Sequence, residues 1–279
     1  MARVVTLSGG AVTFTDIADA DFVGQEVLLV MNAAHIWTDG AVFDVQGGRN
    51  YTAAVNDQIL LTAVTVSTFQ LTIFKARGGA PSTTVLTSGS GTYTTPAGCV
   101  AIEVELVGGG SGGGAGNSGT PSTAGGDTTF GTLTAGGGNT STTAPGNGGS
   151  ATNGDFNIVG SRGNIGTNAI LSVAPGQGGG GGVSFFGGSA NGGSGADGAA
   201  AQNNSGSGGG GGGVSGSATS ALGGAGGASG GYVRKLFVAP AASYSYGVGA
   251  SGAGSSTPGT DGSNGGAGGS GIIIVREYY

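Results

Sequence analysis

The chain has 279 residues, of which 69 are glycine, about a quarter against a usual ~7%, and only 8% are charged against ~25% in an ordinary domain. Its formal net charge is −6 with no basic stripe, which argues against nucleic acid as a partner, because neutralising phosphates needs clustered Lys and Arg. A single cysteine, Cys99, excludes an intramolecular disulfide and any cysteine-rich metal site.

Residues 1–77 hold only 6 of the glycines and read as ordinary β-structure. Apolar clusters recur at 27–31, 42–43, 59–61 and 69–74, separated by turn signals such as Asp39-Gly40 and Asn56-Asp57. Phe69, Leu71 and Ile73 alternate as the buried face of a strand. The spacing predicts a small antiparallel sandwich or roll with little or no helix. A turn signal and a composition shift coincide at Arg77–Pro81, so residues 78–87 read as a linker and 88–279 as a second domain.

That second domain mixes two materials. Thin strands are predicted at 100–106, where Ile102, Val104 and Leu106 oppose Glu103 and Glu105, and at 232–238, 244–248 and 271–279. The last is apolar on both faces, which predicts an interior place in its sheet. Between them lie tracts of glycine with Ser, Thr, Asn and Ala. A flexible linker would need no hydrophobic residues, yet Phe130, Phe156, Phe185, Phe186 and Val214 punctuate the tracts. Extended, polyproline-II-like chains bonded to one another are therefore predicted, since glycine alone permits so close an approach. The large entropy cost of ordering glycine makes a homo-oligomer an expectation.

The blocks Gly91-Thr92-Tyr93-Thr94-Thr95-Pro96, then Pro240 with Tyr244, Tyr246 and Val248-Gly249, then Gly269-Ser270-Gly271-Ile272, come in an order that resembles the glycine-rich domain ending bacteriophage tail fibres and related virion proteins. The resemblance covers about 88–279, and residues 1–77 loosely resemble a small β-module of fibre proteins. It implies an all-β protein: a β-module at 1–77 for attachment or oligomerisation, then a glycine-rich β-sandwich with packed polyglycine-like segments at 88–279. It implies a homotrimer on the virion surface, joined to other virion proteins through 1–77. It also implies binding to a bacterial surface polysaccharide or outer-membrane protein. The segment MARVVTLSGG lacks a secretory apolar run, so synthesis in the host cytoplasm is expected. The alternative is a structural virion protein, a head fibre, capsid decoration or tail-assembly component, whose glycine domain only projects.

No catalysis, cofactor or metal is expected. His35 is the sole histidine and reads as structural, and Cys99 reads as a buried, inert thiol. Glu103 and Glu105 share a strand face and read as solvated, and a depolymerase would need a carboxylate-lined groove. The segment GGSGADGAA at 192–200 fits a calcium nonapeptide that works only in tandem. Exposed loop tips remain as the functional surface, where aromatics beside Asn, Ser and Gly suit recognition. The candidate receptor-binding residues are Asp155, Phe156, Asn157 and Arg162, Phe185 and Phe186, and Asn203 and Asn204.

Overall fold

Alternation along 69–74 places Phe69 and Leu71 in a buried layer and leaves Gln70 outside. Repeated over short segments, this pattern gives eight strands among the described residues of the first module. They are β1 (Arg3–Thr6), β2 (Thr13–Phe14), β3 (Glu26–Val30), β4 (Ile36–Trp37), β5 (Phe43–Val45), β6 (Tyr51–Thr52), β7 (Gln58–Ala63) and β8 (Phe69–Phe74). The computed structural model describes residues 3–7, 9–18, 20–45, 48–74, 81–170, 174–216 and 221–279. No helix forms among them.

A five-stranded sheet, β1-β3-β7-β8-β5, faces a three-stranded one, β2-β4-β6. Trp37 is buried between them, stacked on Phe14 at 4.4 Å and meeting Phe43 edge-on at 5.3 Å. The expected antiparallel arrangement is corrected: β1–β3, β5–β8 and β2–β4 pair in parallel. Long crossovers separate the members of each parallel pair, which lets the chain return in the same direction.

The second domain begins earlier than its composition suggests. Residues 78–87 are not simply a linker, because β9 (Ser82–Leu86) pairs with the last strand and forms a sheet edge. The cross-strand fit of Leu86 against Ile273 places that strand in the fold. The composition shift at Arg77–Pro81 falls largely outside the described residues. Two sheets pack face to face. One runs β10 (Ser90–Thr94), β17 (Ser243–Gly247), β12 (Thr128–Phe130), β13 (Leu133–Ala135), β14 (Ala151–Thr152). The other runs β15 (Phe156–Ile158), β16 (Tyr232–Val238), β11 (Ala101–Val107), β18 (Ile272–Tyr278), β9. Ile102, Val104, Leu106, Phe130, Leu133, Val233 and Ile273 fill the space between. The strand predicted to be interior, β18, lies between β11 and β9.

The glycine tracts leave this sandwich as a lattice. Along 208–214, successive N–H groups turn to three different neighbours. Gly208, Gly211 and Val214 donate to Gly182, Gly179 and Gly176. Gly209 and Gly212 donate to Ser111 and Gly114, and Gly210 and Gly213 donate to Ala199 and Ala196, all at 2.8–3.0 Å. The carbonyls of Gly209 and Gly212 accept from Gly227 and Gly224, those of Gly210 and Gly213 from Gly266 and Ser263, and that of Gly211 from Gly193. A three-residue repeat with no bonds inside the segment is the geometry of polyproline II. These N–H and C=O groups, which would otherwise be buried unpaired, find partners on other segments. Residues 108–116 and 222–231 are ringed in the same way.

Among the described residues, a hydrogen bond ties the module to the sandwich: the Arg49 guanidinium donates to the carbonyl of Thr95, next to Ala97, which packs on the module's core. Arg49→Ala is expected to weaken this junction by about 1–2 kcal/mol. Scanning calorimetry then resolves two unfolding transitions; an unchanged thermogram would show that the bond carries no coupling.

Candidate functional site

The outward face of β16 carries Tyr232, Arg234 and Leu236, because Val233 and Phe237 are turned into the sandwich core. Tyr232 is the centre of an aromatic cluster. Phe185 stacks on it at 3.8 Å, Phe186 stands perpendicular at 5.9 Å, and Phe156 meets it edge-on at 6.2 Å. Tyr232 is 2% exposed, whereas Phe156, Phe185 and Phe186 are 48%, 51% and 36% exposed. Three aromatic rings on the surface thus rest on one buried ring.

Each ring is held from below. Asp155 accepts from the N–H of Leu236 at 2.9 Å, and Asn157 closes on Gly154 through both ends of its amide. These two residues therefore fix β15, which carries Phe156. The turn bearing Phe185 and Phe186 is closed by Ser184 N–H donating to Gly187 at 3.0 Å. The Ser184 hydroxyl anchors it to the carbonyl of Ser205 and lies 3.1 Å from the Ser207 hydroxyl.

The Tyr232 hydroxyl donates to Glu105 at 2.6 Å. Arg276 donates to Glu105 at 2.6 Å and to Glu103 at 3.0 Å, and Arg234 lies 3.7 Å from Glu103. The register that sets Glu103 opposite Arg276 creates this network. Glu105 is consequently buried, which corrects the expectation that both carboxylates are solvated. Burial first, then the bond to Glu105, raises the Tyr232 pKa above the ordinary tyrosine value. The bond to Glu105 is also the chief cause that raises the Arg276 pKa. Arg234 lies 5.9 Å from the Phe156 ring centre.

Two surface grooves flank the paired phenylalanines. The first, about 190 Å³, lies between residues 158–161 and 183–185 with Tyr232 on its wall. The second, about 320 Å³, lies between residues 186–190 and 200–205.

Of the eight candidates from sequence, the structure gathers Phe156, Phe185 and Phe186. Phe156 and Asn157 lie on a strand, not a loop tip. Arg162 reaches away to the carbonyl of Pro145 at 3.1 Å. Asn204, at φ +60°, bonds to Ser270 and shapes the turn that it shares with Asn203. Sequence reasoning read Tyr232 only as part of a strand. Its outward position was recoverable from the alternation of YVRKLFV, but its aromatic neighbours were not.

No protein-family model matches the sequence, and no curated protein matches it either.

Three other side chains that the sequence singles out have structural partners. His35 Nδ1 accepts from the N–H of Val12 at 3.2 Å, so its Nε2 carries the proton and donates to Asn32 at 2.9 Å. Cys99 lies in the other core, with its thiol directed to the carbonyl of Ala101 and its pKa raised by burial. Asp197 of the nonapeptide-like segment accepts from the N–H of Asn264 at 2.7 Å and so pins two glycine segments together.

Proposed function

We propose that this protein is a non-catalytic component of a bacteriophage virion, a fibre or tip protein that binds the bacterial host surface. The observation that carries this reading is the exposed ridge of Phe156, Phe185 and Phe186 seated on Tyr232. Aromatic rings give a large contact area at little conformational cost, and a rigid support preorganises them for binding. The glycine lattice supplies that support. In this reading the protein lies on the virion surface as a homo-oligomer, a trimer by its resemblance to tail fibres, with residues 1–77 facing other virion proteins.

Labelled protein is expected to bind saturably to susceptible cells and to compete with virus adsorption. A double variant, Phe185→Asp with Phe186→Asp, is expected to lose at least about tenfold in apparent affinity, as removal of central aromatic anchors does. Phe185 and Phe186 are 51% and 36% exposed, and a melting temperature close to that of the wild type checks that the variant is folded. Wild-type binding by the variant would remove the ridge from the contact.

One observation favours the structural alternative. In the first module, Ala20 N–H donates to Val66 and Gly24 N–H to Ala63, which brings two loops together with Phe22, Val23, Val64 and Val66 all exposed. No Lys or Arg occurs between residues 4 and 48. An apolar surface in an acidic setting suits docking to a basic-rimmed protein socket, and tight incorporation into particles without cell binding would favour this alternative.

A further inference from the structure

The Phe185–Phe186 pair divides two grooves, the first lined mainly by apolar side chains and the second mainly by polar groups and glycine backbone. The turn sends consecutive rings to opposite sides, 5.4 Å apart and at 74° to each other. Phe185 walls the first groove and Phe186 the second. The second, at about 320 Å³, reaches the ~300–1,000 Å³ range usual for small-ligand sites, and the first, at about 190 Å³, is smaller.

Neither groove has a charged side chain in its lining. A ligand bearing charge would be buried there without a partner, which is costly. Polar groups are nevertheless at hand. The Ser161 hydroxyl in the first groove, and the Ser189 hydroxyl and Gln202 amide in the second, make no side-chain hydrogen bond within the described residues. By contrast, Ser184, Ser205 and Ser229 direct their hydroxyls to backbone carbonyls. Each groove thus offers an aromatic ring next to uncommitted hydrogen-bonding groups. An amide and a hydroxyl both donate and accept, which matches a ligand whose own polar groups are hydroxyls.

We infer that the two grooves form one extended site for an uncharged oligosaccharide, lying across the Phe185–Phe186 ridge with sugar units in both. A sugar ring presents an apolar C–H face to Phe185 or Phe186 and hydroxyls at its edge to Ser161, Ser189 and Gln202. A ligand spanning the ridge gains both faces at once, since the second contact is intramolecular. This assignment rests on the recognition role proposed above and names its ligand class.

The test uses the full chain and two sets of immobilised oligosaccharides of equal length, one of neutral hexoses and N-acetylhexosamines, one bearing uronic acids. Binding to neutral chains, insensitive to salt, is expected. Gln202→Ala should weaken it about fivefold, the loss of one hydrogen bond, and Phe186→Ala about tenfold or more. Binding confined to the acidic chains overturns the inference, as does binding that Gln202→Ala and Phe186→Ala leave unchanged. Absence of binding to either set also overturns it. If cell binding still depends on Phe185 and Phe186 in that case, the recognition role stands and the ligand is a protein.

Discussion

Replacing Gly211 by alanine is expected to unfold the glycine lattice, while the same replacement at Gly180 leaves it intact. A Cβ on Gly211 would stand 2.0 Å from the carbonyl oxygen of Gly224 and 2.6 Å from its carbon. Both are backbone atoms, and neither has a rotamer to move aside. Shifting segment 208–214 away from Gly224 would strain its bonds to Gly179 and Gly193 on other sides. Each buried hydrogen bond left unmade costs about 1–3 kcal/mol, and several fail together. The total exceeds the ~4–5 kcal/mol that is exceptional for one substitution, within a stability of about 5–15 kcal/mol. At Gly180 the nearest atoms are 3.6 Å away, an ordinary contact. Alanine there restricts the unfolded chain and is expected to stabilise by up to about 1 kcal/mol. Urea unfolding of the two variants checks this. Equal effects would mean that the segments are loosely ordered and not packed on one another's carbonyls.

The same geometry explains what could be read from the sequence. Side-chain alternation is a local signal, so β11, β16, β17 and β18 were all legible, as was the interior place of β18. The choice of lattice neighbours was not. Gly114 donates to Ala225 and Gly110 to Gly269, across more than a hundred residues, and glycine has no side chain to record a partner. A faint record does exist. Ser111, Ala115, Ser207, Ala225 and Ala228 are buried within the tracts, and they mark the places where the lattice leaves room for a Cβ. The aromatic site was half legible for the same reason. Phe156, Phe185 and Phe186 stood out against glycine, but Tyr232 gained its role from a turn some fifty residues before it. The burial of Glu105 likewise depended on Arg276, which only strand register brings near.

Alkaline solution is expected to unfold the protein more steeply than its composition suggests. Three buried tyrosines each donate to a carboxylate: Tyr51 to Asp57 at 2.5 Å, Tyr93 to Glu277 at 2.8 Å and Tyr232 to Glu105 at 2.6 Å. Burial is the largest cause that raises each pKa, and the carboxylate hydrogen bond is the next. Below the ordinary tyrosine pKa of about 10, the proton is bound in both folded and unfolded chains, so the native pairing holds in full. Above it the unfolded chain releases the proton while the folded one retains it. Stability therefore falls as pH rises, by about 1.4 kcal/mol per unit for each tyrosine and about 4 kcal/mol per unit for the three. Urea unfolding followed from below pH ~10 to one unit above it gives the slope. Tyr232→Phe should reduce that slope by about a third, because Glu105 keeps Arg276 as its partner. Tyr93→Phe should do the same, since Ser82, Thr84 and Tyr279 still donate to Glu277. A flat profile, or tyrosinate absorbance that rises before the fold is lost, would show that these protons are not held by the native structure.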